Sequence, residues 1–216
     1  MKPSSTSSGD EVFDARGDLK LIVGADKVAF KVCSRALARS SPVWEALLYG
    51  PFAEGKAQQH GGDWEIPLPE DRPEALRILI AAVHRGADDL PRQIGHEQLL
   101  RLTVVADKYD MTGSLKPLWD KWVRNLGRVA DRKGQKLVDY LLICYKLGHG
   151  AGFRGAFFDL VSRAATDNDG RLHVDGFREY ELYTDDHPWL LDILGKASVE
   201  WNHLMKWALL TPTQRL

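Results

Sequence analysis

Residues 18–55 read DLKLIVGADKVAFKVCSRALARSSPVWEALLYGPFAEG, and the order of the elements in this segment determines the predicted fold. Apolar side chains alternate along residues 18–23 and again along residues 27–32, which is the period of a strand with one buried face. Gly24-Ala25-Asp26 lies between the two runs and has residue types that favour a hairpin turn. The segment therefore begins with two predicted strands joined by a turn.

Two short helices are predicted directly after these strands. Ser34 is placed to cap a helix through Arg39, because a serine oxygen can accept a hydrogen bond from a free amide of the first turn. Ser41 and Pro42 mark a second helix start, with serine as the cap and proline at the first helical position. Gly50-Pro51 ends this second helix.

The rest of the chain predicts one more strand and then helices. Residues 64–68 alternate again, and Pro67 indicates an edge strand because proline cannot donate to a ladder. A helix that begins at Pro73 is apolar on nearly all sides, which indicates burial. The apolar spacing predicts further helices over residues 98–111, 114–126, 137–147, 153–161, 188–194 and 199–210.

These elements predict an α+β domain followed by an all-α extension. The α+β part covers residues 12–126, and Gly127 with the basic run after it marks the boundary. The helical C-terminal extension covers residues 127–216. Residues 1–11 are Ser-rich without apolar anchors and are predicted to be a disordered tail.

Composition narrows the class of protein. The chain has 216 residues, a net charge of −1 and 27% charged residues, so no global field favours nucleic acid or an anionic membrane. Cys33 and Cys144 form no CxxC pair, which argues against a disulfide framework and favours a reducing compartment. The N-terminus has no apolar leader and no run could span a bilayer, so we expect a cytoplasmic or nuclear protein.

Several short patterns in this order are similar to those of one known family. The patterns are Asp18 at the first strand, Phe30-x-Val32, Leu37 before Ser40-Ser41-Pro42, Phe52-x-Glu54, His84-Arg85-Gly86 after an aliphatic helix, and Ala106-Asp107-Lys108-Tyr109. Residues 12–126 thus resemble a BTB (POZ) domain. Leu147-Gly148 followed by Phe153-Arg154 resembles the helical extension of stand-alone BTB proteins, which are abundant in fungi. The resemblance implies a small mixed sheet capped by helices, and a module that binds proteins without catalysis or cofactor.

The resemblance also implies two candidate sites. Self-association into a homodimer would use the first strand and first helices, where the candidate contact residues are Leu19, Leu21, Leu37, Val43 and Trp44. The alternative function is that of a cullin-dependent ubiquitin ligase adaptor, with a cullin scaffold as partner and Phe52 and Glu54 as the docking residues. The chain departs from the family at Cys33, where many members have histidine, and at His84, where they have an aromatic residue.

Three further sequence patterns are similar to those of nucleotide-binding, calcium-binding and nucleic-acid-binding sites. Residues 150–155 match GxGxxG, but no strand precedes them in a βαβ unit, so a connection between helices is the preferred interpretation. Residues 167–170 resemble a calcium loop, but the first and last ligand positions carry no carboxylate. Lys121, Arg124 and Arg128 form a basic stripe, which we interpret as a solvated helix face rather than a nucleic-acid site. No catalytic or metal-binding residues are predicted.

Overall fold

A computed structural model describes residues 11–51, 64–127, 135–162, 164–166 and 172–174 of the chain. Within these residues the fold is α+β and contains a four-stranded mixed sheet and seven α-helices. None of the described helices has the length and apolar character that crossing a membrane requires.

The sheet forms from the segments that alternate in sequence. Its strands are β1 Glu11–Val12, β2 Leu19–Val23, β3 Val28–Val32 and β4 Glu65–Leu68, in the spatial order β1-β3-β2-β4. β2 and β3 are antiparallel, with Leu21 opposite Phe30, whereas β4 runs parallel to β2. β1 runs parallel to β3 at the other edge. The prediction that the strand with Pro67 lies at an edge is confirmed.

The predicted hairpin turn joins β2 to β3. Gly24 has a φ angle of +72°, which suits glycine, and its carbonyl accepts a hydrogen bond of 3.1 Å from the Lys27 amide. The side chains of β2 alternate between buried and half-buried positions as the sequence predicted. Leu19, Leu21 and Val23 face the core.

The first two helices are α1 Ser34–Ser40 and α2 Pro42–Tyr49. Ser41 caps α2 as predicted, because its side chain accepts a hydrogen bond of 3.0 Å from the Trp44 amide, and Pro42 is the first helical residue. The prediction for Ser34 was wrong. Cys33 is the N-cap of α1, and the Ser34 hydroxyl donates to Asp18 instead.

Three helices follow the sheet. They are α3 Pro73–His84, α4 His96–Lys108 and α5 Lys116–Asn125. Short 3-10 turns occur at Ala87–Asp89 and at Thr112–Leu115. The predicted stop after α3 is confirmed by Gly86, whose φ angle is +82°.

The second part of the chain begins with a helical hairpin. α6 Gln135–Leu147 and α7 Gly150–Ser162 are joined by Gly148 and His149. After α7, β5 Ala164–Thr166 pairs antiparallel with β6 Leu172–Val174. The prediction of an all-α extension was therefore wrong at this point. Asp167-Asn168-Asp169-Gly170 has the residue types of a turn and separates two strands too short to give a period. The helices predicted over residues 188–194 and 199–210 lie outside the described residues.

One hydrophobic core joins the sheet, α1 to α5 and the α6–α7 hairpin. At one end of α6, His96 Nε2 lies 3.4 Å from an Asp139 oxygen, and at the other end Lys146 donates to Asp107 at 2.7 Å. Since His96 begins α4 and Asp107 lies near its end, α4 and α6 run in the same direction. The α6–α7 hairpin thus packs on the first part of the chain, with α6 lying along α4.

Candidate protein-interaction surface

The outward side of α2 is an exposed apolar surface. Pro42, Val43, Ala46 and Tyr49 are all exposed, with 37% of Val43 and 43% of Tyr49 accessible to solvent. Their spacing of three to four residues places them on one side of the helix. We call these four residues the α2 outer face. The opposite side of the helix carries Trp44 and Leu48, which are fully buried.

The N-terminal end of α2 is held by stacked aromatic rings and a serine. The rings of Trp44 and Tyr109 stack with their centroids 4.4 Å apart and their planes 7° apart. The Ser41 hydroxyl donates to the backbone carbonyl of Tyr109 at 2.5 Å while its oxygen accepts from the Trp44 amide. Because Tyr109 directly follows α4, this end of α2 is joined to the end of α4.

A buried carboxylate holds Tyr109 in turn. The Tyr109 hydroxyl donates to Asp71 at 2.6 Å, and the Lys108 ammonium donates to both Asp71 oxygens at 2.9 Å. Only 3% of the Asp71 side chain is exposed. Burial and then the hydrogen bond to Asp71 raise the pKa of Tyr109 well above its ordinary value. The phenol is therefore a neutral, fixed donor. The Ala106-to-Tyr109 pattern pointed to this region, but nothing in the sequence identified Asp71 as its partner.

A second polar cluster holds the C-terminal end of α2. Ser34 donates to the Asp18 carboxylate through its amide at 2.8 Å and through its hydroxyl at 2.7 Å. The Tyr49 hydroxyl lies 2.6 Å from the Ser34 oxygen, so the phenol tip points inward while the ring stays half exposed. Burial alone would raise the pKa of Asp18, but the hydrogen bonds from Ser34 outweigh it and lower the pKa below its ordinary value.

The structure separates the candidate contact residues into two groups. Leu19, Leu21, Leu37 and Trp44 are buried in the core of a single chain, with at most 2% exposed. A side chain buried in this way cannot touch a second chain unless the fold opens. Val43 alone of the five lies on the surface of the single chain, and the homodimer interface stays a prediction. Phe52 and Glu54, the candidate cullin-docking residues, lie outside the described residues.

The two departures from the family pattern meet in space. The amide of Cys33 donates to Nε2 of His84 at 3.0 Å, and Nδ1 of His84 lies 3.0 Å from the Ile80 carbonyl. A neutral ring with its proton on Nδ1 satisfies both contacts. The imidazole at position 84 therefore joins the N-cap of α1 to the last turn of α3. Both positions stand out in the sequence, but their contact could not be predicted from it.

The remaining sequence patterns lie on helices or outside the described residues. Residues 150–155 lie within α7 and follow the helix α6, so they lack the strand-to-helix loop that a dinucleotide site requires. The connection between the helices is shorter than we expected and consists of Gly148 and His149. Lys121 and Arg124 are exposed on α5, whereas Arg128 and the possible calcium loop at 167–170 lie outside the described residues.

The fold and the site define a class: an α+β protein with a small mixed sheet whose second helix presents an apolar face held by polar clusters at both ends. In the part of the chain that the structure describes, no group of three or more His, Cys, Asp or Glu side chains is arranged to hold a metal ion. A comparison with protein-family models gives no match, and a comparison with curated proteins gives no significant relative.

Proposed function

We propose that this protein is a BTB-type interaction module that self-associates through the α2 outer face and brings partner proteins together. The order of the described elements supports this proposal, since a strand hairpin, two short helices, a further strand and an aliphatic helix follow one another in the order that the resemblance implied. The proposal includes no enzymatic activity and no cofactor.

The observation that carries the proposal is the exposure of apolar side chains on a helix whose position is fixed. Burial of apolar surface is the main driving force of protein association. Association also costs the ordering of mobile groups, and this cost is lower for a surface that is already held in place. Asp71 and Tyr109 fix one end of α2, and Asp18 with Ser34 fixes the other.

A second copy of the chain is the proposed first partner. An apolar helix face can meet the same face of another copy around a two-fold axis, which is the commonest symmetry of soluble oligomers. Glu45 is exposed beside the α2 outer face, and it would remain at the polar rim of such a contact. Recruited proteins would then bind elsewhere on the dimer.

Sedimentation velocity from low to high micromolar concentration tests this proposal. The wild-type chain is expected to show a dimer, and Val43→Lys is expected to raise the dissociation constant at least about tenfold, or about 1.4 kcal/mol. Val104→Lys is the matched control, because Val104 is also an exposed valine, 52% accessible, but belongs to α4. A wild-type monomer at all concentrations, or equal weakening by both variants, would contradict the proposal.

The alternative of a cullin adaptor gains no support from the described residues, because Phe52 and Glu54 lie outside them. A pull-down with a cullin N-terminal domain tests it, with Phe52→Ala and Glu54→Lys as the variants that should lose binding. We also propose a cytoplasmic or nuclear location, since neither Cys33 nor Cys144 forms a disulfide in the described part of the chain and reduced cysteines are typical of reducing compartments.

A further inference from the structure

The corner between α6 and α7 is built around the imidazole of His149. Gly148, with a φ angle of +70°, ends α6, and His149 directly precedes Gly150, the first residue of α7. Nδ1 of His149 accepts a hydrogen bond of 3.0 Å from the Gly152 amide. His149 is therefore the N-cap of α7, in the position that serine or aspartate more often occupies.

The other ring nitrogen of His149 faces an acidic side chain. Nε2 lies 3.8 Å from an oxygen of Asp120 on α5, and 16% of the histidine side chain is exposed. Because Nδ1 is an acceptor in this geometry, the proton of the neutral ring is on Nε2, toward Asp120. One neutral tautomer therefore serves both contacts.

The first turn of α7 depends on this cap because its own residues favour a helix poorly. Gly150 and Gly152 occupy the first and third positions, and glycine is among the least favourable helix residues. A Cβ at Gly152 would lie 2.5 Å from Nδ1 of His149, 2.7 Å from the Cys144 sulfur and 2.8 Å from the Tyr140 hydroxyl. The close packing of α7 on α6 therefore requires glycine at position 152. The hydrogen bond to His149 then stabilises the first turn of α7.

We infer that protonation of His149 opens the first turn of α7, so that this corner is an acid-sensitive switch. The second ring proton binds at Nδ1, which then becomes a donor facing the Gly152 donor, and the cap bond is lost. The positive charge is also unfavourable at the N-terminus of α7. Asp120 attracts the imidazolium, and this draws the ring toward α5 and away from α7.

Charged side chains at this corner of the described structure include Asp120 on α5 and Arg154 of α7, whose guanidinium would lie 3.4 Å from a Cβ at Gly150. The Tyr140 hydroxyl and the Cys144 sulfur of α6 also lie beside Gly152. Histidine is the side chain that changes charge between about pH 5 and pH 8. The switch does not depend on the proposed self-association.

The switch has a surface consequence. Phe153 makes the first backbone hydrogen bond of α7, to the His149 carbonyl at 3.0 Å. Its ring stacks on Phe157 with 5.8 Å between centroids and contacts Tyr145 of α6 at 6.0 Å. Phe158 beside this row is 71% exposed. Opening of the turn would therefore rearrange an aromatic surface that already meets solvent.

Hydrogen exchange of the full chain, followed by mass spectrometry of peptides that cover residues 148–158, tests the inference. After correction for intrinsic exchange rates, protection of these amides should fall about fivefold between about pH 7.5 and about pH 5.5. This is the change expected from the loss of one N-cap hydrogen bond. His149→Asn supplies a cap that does not titrate, so its protection should not change with pH. His96→Asn is the control, because His96 also faces an aspartate but caps no helix through its ring.

Two results would overturn the inference: unchanged protection of residues 148–158 in the wild type on acidification, or the same pH dependence in His149→Asn. If His149→Asn does not fold, the Gly152 amide resonance of the ¹⁵N-labelled wild-type chain gives the answer. It should shift with the same midpoint as the His149 ring protons, and an amide that stays constant while the ring titrates would refute the switch.

Discussion

Replacement of Tyr109 by phenylalanine tests whether the buried Asp71 cluster holds α2 in place. The substitution removes one oxygen and keeps the aromatic ring, so the stack on Trp44 at 4.4 Å is retained. The lost group is the hydroxyl that donates to Asp71 at 2.6 Å. Any effect on stability therefore reports this hydrogen bond rather than a cavity in the core.

The expected loss follows from the charge and burial of the acceptor. A hydrogen bond to a charged group contributes about 1.5–3 kcal/mol, so Tyr109→Phe should lower the free energy of unfolding by about 2 kcal/mol. Asp71 keeps the two bonds from Lys108, and this limits the loss. Lys108 is 47% exposed but Asp71 only 3%, so Lys108→Met would leave a buried carboxylate without its counter-charge and should also be destabilising.

Urea unfolding at neutral pH measures this difference, with the free energy taken from the midpoint and slope of each transition. Tyr145→Phe is the matched control, because Tyr145 is 43% exposed on α6 and should lose less than about 0.5 kcal/mol. A loss of that small size in Tyr109→Phe as well would refute the cluster as an anchor of α2.

Tyr109 also predicts how the stability of the folded chain changes at alkaline pH. The pKa of Tyr109 is raised, so the phenol is neutral in the folded chain at pH values where it ionises in the unfolded chain. This contribution to stability is complete below the ordinary tyrosine value of about 10 and is lost as the pH rises above it. Wild-type stability should therefore fall above that pH more steeply than the stability of Tyr109→Phe.

Three further predictions follow from other contacts. The lowered pKa of Asp18 gives stability that is present above its ordinary value of 3.8 and is lost as the pH falls through the lowered value, so acid unfolding followed by circular dichroism should be less steep in Asp18→Asn. Gly152→Ala should lower the melting temperature because its Cβ would lie 2.7 Å from the Cys144 sulfur, whereas Gly113→Ala, which meets nothing within 4 Å, should change it little. His84→Phe should cost about 1–3 kcal/mol in urea unfolding, since the Cys33 amide loses its acceptor, and an unchanged midpoint would contradict this.

Local signals in the sequence were sufficient for most of the secondary structure. The alternation in β2 and β3, the proline of the edge strand and the Ser41-Pro42 start of α2 each depend on residues that are close in sequence. The same local logic failed for Ser34, because the hydroxyl that could have capped α1 is taken by Asp18, sixteen residues earlier. A cap prediction therefore needs to know which acceptors the fold brings near.

The surface of α2 could be only partly predicted for a similar reason. Val43 and Trp44 are adjacent and both apolar, yet one is exposed and the other is fully buried. Helical spacing divides the residues of α2 into two faces, but it does not say which face meets the core. The buried face is the one on which Tyr109 stacks, and no pattern in the sequence links Tyr109 to Trp44.

The packing of the helical extension could also be only partly predicted from the sequence. Gly127 ends α5 with a φ angle of +86°, and a change of composition after it suggested a boundary. The core nevertheless continues across this point, because Leu137, Leu141 and Ile143 of α6 are fully buried in the same cluster as Trp122 of α5. The contacts of α6 with His96 and Asp107 fix its register along α4. An apolar helix that covers another helix along its length is part of the fold that it covers, so a glycine that ends a helix is a weaker sign of a domain boundary than a break in the buried apolar pattern.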